Sequence, residues 1–330
     1  MIRWLTPLRG TVPDDITARC QLLATAPSGM LFGFELILLQ HDYTQADVIM
    51  HNTKNIPYPI SSVHVPFPQI NGQPAQYDLF TQAGQAKLRA TAAIAKQVGA
   101  AIVVVHSQVA IPISAWLPEY TTVTWRDKLF EKIFTVLKTV QADYPTVTLC
   151  LENMPLPLFA DSVNTSTAML YNPCLITVAD MKQAAQAGIQ LTFDVCHYDL
   201  MRRLWHNWIQ RDGDIIPDRI ATHGGIVGVY PTGRQPSYAQ LWQQLKPAIG
   251  HIHLADSSGM WHNNGRLPGG GLPLGTGDID ATELYQWLQP LLADSQHTYT
   301  INLEVRDRDM TVLAETAASL TYLHRLLYAN

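Results

Sequence analysis

Basic residues are scarce. Lys and Arg total 22 against 27 Asp and Glu in 330 residues, a formal net charge of -5. A nucleic-acid binder usually carries a basic excess or stripe to neutralise phosphates, and no basic run occurs here. Nucleic acid is therefore a disfavoured partner. Cysteine is sparse too, and Cys20, Cys150, Cys174 and Cys196 form no CxxC pair. They read as reduced thiols of an intracellular protein, not as a disulfide framework. The opening MIRWLTPLRG lacks an apolar signal core. No stretch approaches about 18 consecutive apolar residues, the length of a membrane helix. These absences predict a cytoplasmic protein with no membrane span. No GxGxxG follows the first predicted strand, which weakens a dinucleotide-binding reading.

What is present is a regular alternation. Apolar runs bounded by turn residues predict strands over 2–6, 32–39, 61–65, 102–106, 147–152, 189–194, 251–254 and 300–305. Three- and four-residue spacing predicts helices over 13–24, 77–98, 125–142, 178–187, 238–245, 282–292 and 310–328. A short helix within 41–55 and an aromatic one around Leu204, Trp205 and Trp208 complete the pattern. Alternation argues a parallel sheet with crossover helices, and eight units favour closure into a (β/α)8 TIM barrel. The expectation is one domain over 1–330, with long loops such as 154–177 and 223–234 at the C-terminal face; an open doubly wound sheet is the runner-up.

The strands end in an unusual way. LTFD closes on Asp194, TLCLE on Glu152, HIHL on a segment carrying His253, and INLE on Glu304. SSVH and IVVVH add His64 and His106. Alternation along a strand puts Thr148, Cys150 and Glu152 on one face, and Thr300, Asn302 and Glu304 on another. The small, polar face suits a barrel interior and the greasy face suits the helix layer. Glu35 is an anomaly inside its own strand, predicted to face the barrel or a polar neighbour. His251 shares the face of His253 one layer deeper and reads as structural. Unpaired carboxylates converging at one end of a barrel repel each other unless a cation sits among them. Glu152, Asp194, His253 and Glu304 form a mixed oxygen and nitrogen set that suits Mn2+, Mg2+, Co2+ or Zn2+. His64 and His106 can add a second metal, with Glu152 bridging. A lone strand-end His is ordinarily a satisfied core residue; six such groups together argue otherwise.

At SVHVPFP, VVVHS, LENMP, FDVCH, HIHLADSSG, LGTGDID and INLEV the chain resembles the xylose isomerase-like TIM barrel superfamily. That group includes sugar isomerases and epimerases as well as the endonuclease IV group. The resemblance implies a shared metal site on Glu152, Asp194, His253 and Glu304, and a substrate contact at His197. It also sets limits. Where the endonucleases carry Asp-Arg-His before the LGxG turn, this chain has Gly269, Gly270 and Gly271. Where ketohexose epimerases carry a second Glu and an Arg, it has Leu158 and Gly259. The familiar ketohexose grip is absent.

The expected activity is a divalent-metal-dependent isomerisation or epimerisation of a sugar or sugar derivative. Glu152 and Glu304 would move a proton through a metal-stabilised enediolate, and His197 would bond a substrate oxygen. The alternatives are a binuclear metallohydrolase of the phosphodiesterase type and a non-catalytic sugar- or metal-binding descendant. His223, Arg234 and His262 lie in loops that can reach the site as substrate contacts, and Arg202 and Arg266 are further candidates for an anionic group. The partner is a small carbohydrate, and a homo-oligomer is compatible with the sequence.

Overall fold

The computed structural model describes residues 1–39, 42–66, 78–107, 111–112, 123–154, 158–159, 169–171, 177–210, 235–258, 270–309 and 312–328. The eight expected strands are β1 (Ile2–Leu8), β2 (Leu31–Ile37), β3 (Ile60–His64), β4 (Ile102–Val105), β5 (Thr148–Glu152), β6 (Gln190–Asp194), β7 (Ile249–Leu254) and β8 (Tyr299–Leu303). Each runs parallel to the next, and β8 pairs with β1, so the sheet closes into a barrel. Closure removes the open-sheet alternative. The helices among the described residues are α1 (Pro13–Ala24), α2 (Ala46–Thr53), α3 (Gln82–Val98), α4 (Val123–Asp143), α5 (Val178–Gln186), α6 (Val195–Gln210), α7 (Tyr238–Leu245), α8 (Ala281–Ala293) and α9 (Ala314–Tyr328). None is long and apolar enough to cross a membrane.

The two faces of each strand divide as period-two patterning requires. Trp4, Phe34, Val63, Val103, Leu149, Phe193, Ile252 and Ile301 are buried in the shell between barrel and helices. Each such side chain contributes roughly 1.5–3 kcal/mol on burial. Trp287 of α8 anchors one sector, with its ring edge-on to Phe193 at 5.8 Å and to Trp242 at 6.1 Å. The inward positions of barrels of this type are usually filled by branched aliphatics. Here they include Glu35, Ser62, Thr192, His251 and Asn302, all buried. A polar lumen is tolerable only if its groups are hydrogen-bonded, and that requirement shapes the site.

Helix boundaries follow local chemistry. Periodicity predicts α3 from 77, yet it starts at Gln82, because the Thr81 hydroxyl accepts the Gly84 N–H at 3.0 Å. It stops at Gly99, whose φ of 77° is the left-handed conformation that glycine adopts without strain. Thr177 with Asp180 and Ser237 with Gln240 form reciprocal capping boxes at α5 and α7. Helix α6 starts with no loop after β6. The Asp194 Oδ1 accepts the His197 N–H at 2.7 Å, so the last strand residue caps the helix that follows.

Candidate metal centre

Glu152 and Asp194 are the last residues of β5 and β6, His253 lies one residue from the end of β7, and Glu304 directly follows β8. The register sets Asp194 beside His253. Glu152, Asp194 and His253 are buried, and the Glu304 side chain is 26% exposed. Their donor atoms lie within 4.8 Å of one another, and the group could hold a metal ion. The centre of the arrangement is one nitrogen. His253 Nδ1 lies 3.1 Å from Glu304 Oε2, 3.2 Å from Glu152 Oε1 and 3.9 Å from Asp194 Oδ2.

One ring nitrogen carries at most one proton, so it can serve only one of those three carboxylates. The surplus negative charge shows in the proton affinities. Burial, with the Glu152 and Glu304 charges, pushes the Asp194 carboxyl well above its ordinary range. Burial would lower the His253 imidazolium, but Glu35, Glu152 and Glu304 outweigh it and hold its pKa well above the ordinary value. The cluster thus retains protons where a cation would serve. Ligands about 2 Å from one ion stand roughly 3 Å from each other. The His253 spacings to Glu304 and Glu152 are of that size, so the donor set fits a divalent ion in both charge and spacing.

A second group of donors adjoins the first. His106 Nε2 lies 2.9 Å and His64 Nε2 3.5 Å from Glu152 Oε2, and the three residues together could hold a metal. The His64 Nδ1 lies 2.6 Å from the Val65 carbonyl, which can only accept, so Nδ1 carries the proton and Nε2 faces Glu152. Both histidines thus face the same oxygen of Glu152.

His197 sits in the first turn of α6 with its side chain 21% exposed. Its Nδ1 lies 3.0 Å from the Asn153 carbonyl, which places the proton on Nδ1 and leaves Nε2 as an acceptor in the neutral ring. Asn153 is a residue that strand-end reasoning passes over. Its Nδ2 donates to the Asp194 carbonyl at 2.9 Å, and the Asp194 N–H donates to its Oδ1 at 2.7 Å. The side-chain amide thus extends the β5–β6 ladder by one rung. The only sequence signal is its position, directly after Glu152.

Arg202 is engaged elsewhere. Its guanidinium bonds Glu283 at 2.6 Å and Asp199 at 2.9 Å, so it braces α6 against α8 and does not offer a free anion grip. His223, Arg234, His262 and Arg266, together with most of the predicted long loops, lie outside the described residues. His251, expected to be structural, lies beneath the centre and bonds Glu35 and Thr300, each at 2.8 Å.

With this geometry in hand, the family follows. Residues 54–323 match the family model described as xylose isomerase-like TIM barrel. The chain belongs to that family. No curated protein matches it. Solved structures similar to it include 3-keto-D-glucoside 4-epimerase from E. coli, at 16% identity, TM-score 0.57 and 99% coverage of both chains. A protein from Thermus thermophilus soaked with ZnCl2 is 18% identical, with TM-score 0.55, covering 100% of this chain and 98% of that one. A family 2 AP endonuclease from Brucella melitensis is 13% identical, with TM-score 0.55, covering 96% and 98%. An epimerase and an endonuclease stand at nearly the same structural distance, so the fold alone does not choose between their chemistries. The side chains of this chain must carry the choice.

Proposed function

We propose that this chain is a divalent-metal-dependent isomerase or epimerase of a sugar or sugar derivative, acting in the cytoplasm as one barrel over residues 1–330. The observation that carries the reading is the set of three carboxylates around His253 Nδ1. Glu152, Asp194, His253 and Glu304 would hold the ion, which is Mn2+, Mg2+, Co2+ or Zn2+. When bound, it supplies positive charge that stabilises the enediolate formed as a proton leaves the carbon beside a carbonyl. Glu152 and Glu304 are the proton carriers, one removing the proton and the other returning it. The Glu304 side chain is 26% exposed, whereas that of Glu152 is fully buried, so Glu304 is the more accessible of the two. His197, with Nε2 as acceptor, takes a substrate hydroxyl. A small carbohydrate is the substrate class, in keeping with the epimerase among the fold relatives.

The test is solvent-deuterium uptake into a panel of ketoses and keto-sugars by metal-loaded protein. Wild type is expected to label its substrate at the carbon beside the carbonyl. Glu152→Gln and Glu304→Gln should each slow labelling by about 100-fold or more. Undiminished labelling in both variants would remove the proton-transfer roles.

A binuclear hydrolase is the second reading, favoured by His106 and His64 on Glu152 Oε2. Against the endonuclease form stands Gly271. Its φ of 74° lies in the left-handed region that favours glycine, so the last position of the triplet that replaces the endonuclease Asp-Arg-His suits glycine and not histidine. Metal-dependent nicking of abasic DNA would move the assignment to this reading.

A further inference from the structure

Beneath the metal centre, the lumen holds a second carboxylate. Glu35 is fully buried on β2, and its register partner on β3 is Ser62. The Ser62 hydroxyl donates to Oε2 at 2.7 Å and Asn302 Nδ2 donates to Oε1 at 2.6 Å. His251 Nε2 lies 2.8 Å from Oε2. His253 Nε2 lies 3.1 Å from Oε1 and 3.3 Å from Oε2. These donors come from β2's neighbour β3 and, across the lumen, from β7 and β8. An ionised carboxylate has about four lone-pair sites, and four groups occupy them.

That arrangement dictates proton positions. A carboxylate only accepts, so His251 Nε2 and His253 Nε2 both carry hydrogen. His251 Nδ1 is then an acceptor, and it takes the Thr300 hydroxyl at 2.8 Å. His253 Nδ1 is left as the nitrogen that can present a lone pair, and it is the atom facing Glu304, Glu152 and Asp194.

We propose that Glu35 is a positioning residue for the metal centre: held by Ser62, Asn302 and His251, it locks His253 in the tautomer and orientation that aim Nδ1 at the three carboxylates. This deepens the proposed function and rests on its metal site. Glutamine at position 35 is the informative substitution. It keeps shape and volume, but its NH2 group faces the histidine N–H donors and favours the opposite tautomer, with a hydrogen on Nδ1 pointing into the site.

The experiment uses the full chain, with Zn2+ as the probe. Zn2+ titration should show binding to wild type and a 10- to 100-fold weaker affinity in Glu35→Gln. Affinity within twofold of wild type would overturn the proposal and leave the metal site standing. Absence of Zn2+ binding to wild type would bring down the metal-site reading and this inference with it. Should Glu35→Gln fail to fold, the ring-nitrogen NMR signals of Zn2+-loaded wild type decide. Ligation by His253 Nδ1, with a slowly exchanging proton on Nε2, supports the assignment, and ligation by Nε2 overturns it. The Ser62→Ala variant retains the carboxylate and should keep His253 ligating through Nδ1.

Discussion

Two layers of one lumen, a single turn of side chains apart, solve the problem of buried charge in opposite ways. In the lower layer a lone carboxylate, Glu35, is met by Ser62, Asn302, His251 and His253. In the upper layer three carboxylates crowd a single nitrogen of His253. Both layers set carboxylates and histidines deep in the barrel, so residue type and depth do not mark function by themselves. What separates them is the ratio of donors to acceptors. A layer whose acceptors are matched by donors can be structural scaffolding, and a layer with surplus acceptors calls for more positive charge than the one His253 imidazolium supplies. His253 belongs to both layers, one ring nitrogen in each, and couples them.

The contrast can be broken most severely by removing upper-layer ligands. Wild type purified without chelator is expected to carry at least one divalent ion per chain by elemental analysis, and the Asp194→Ala, His253→Ala double variant none. Equal metal content would show that the ion sits elsewhere. Next in size is an effect of opposite sign in the two layers, read from denaturant melts of metal-free protein. Glu35→Ala strands the donors of Asn302, Ser62 and His251, and should cost about 1–3 kcal/mol for each one left unsatisfied. Asp194→Asn removes a charge that its neighbours disfavour while keeping a side chain able to cap α6, so metal-free stability should hold or rise. Parallel losses in both variants would erase the distinction between the layers.

The effect of pH sharpens the comparison more gently. The neighbouring carboxylates raise the His253 pKa, so in the metal-free protein the imidazolium persists above the ordinary histidine range. An entering ion must displace that proton, and affinity should therefore climb with pH until the raised pKa is passed. A flat profile from pH 6 to pH 8 would contradict it. The smallest effect concerns Cys150, which lies on the lumen face of β5 below Glu152. Burial lifts its thiol to about 12, so alkylation in the native state should be negligible at pH 8 and should report opening of the barrel. Faster labelling of Cys150 in Glu35→Ala than in Asp194→Asn would match the stability ranking.

How much of this could be read from the chain depends on the range of the interaction. Glu152, Asp194, His253 and Glu304 stand out because each closes or nearly closes an apolar strand, where a charged group is conspicuous against its immediate neighbours. Glu35 is conspicuous for the same reason, but its partners are not. Ser62, His251 and Asn302 lie on other strands, and only closure and register bring them across the lumen. Asn153 gives still less warning, because an asparagine after a strand is commonplace and its role depends on the exact height of β6. The eight-strand alternation with helices was legible because periodicity is local, but the short strands Leu158–Phe159 and Met169–Tyr171 within the expected 154–177 loop were not. The first turn of α3 was not, since Thr81 decides it by a single hydrogen bond.

At the rim beside β7, Asp256 gathers four backbone N–H groups into one carboxylate: Ser257 and Ile279 on Oδ1, Gly275 and Gly277 on Oδ2. A Cβ on Gly277 would stand 2.4 Å from Asp256 Oδ1. Neither the aspartate nor that glycine can therefore drift alone. As related chains diverge, the two positions should change together or stay fixed together, which makes this corner of the rim a slow-moving landmark from which the substitution history of its neighbours can be measured.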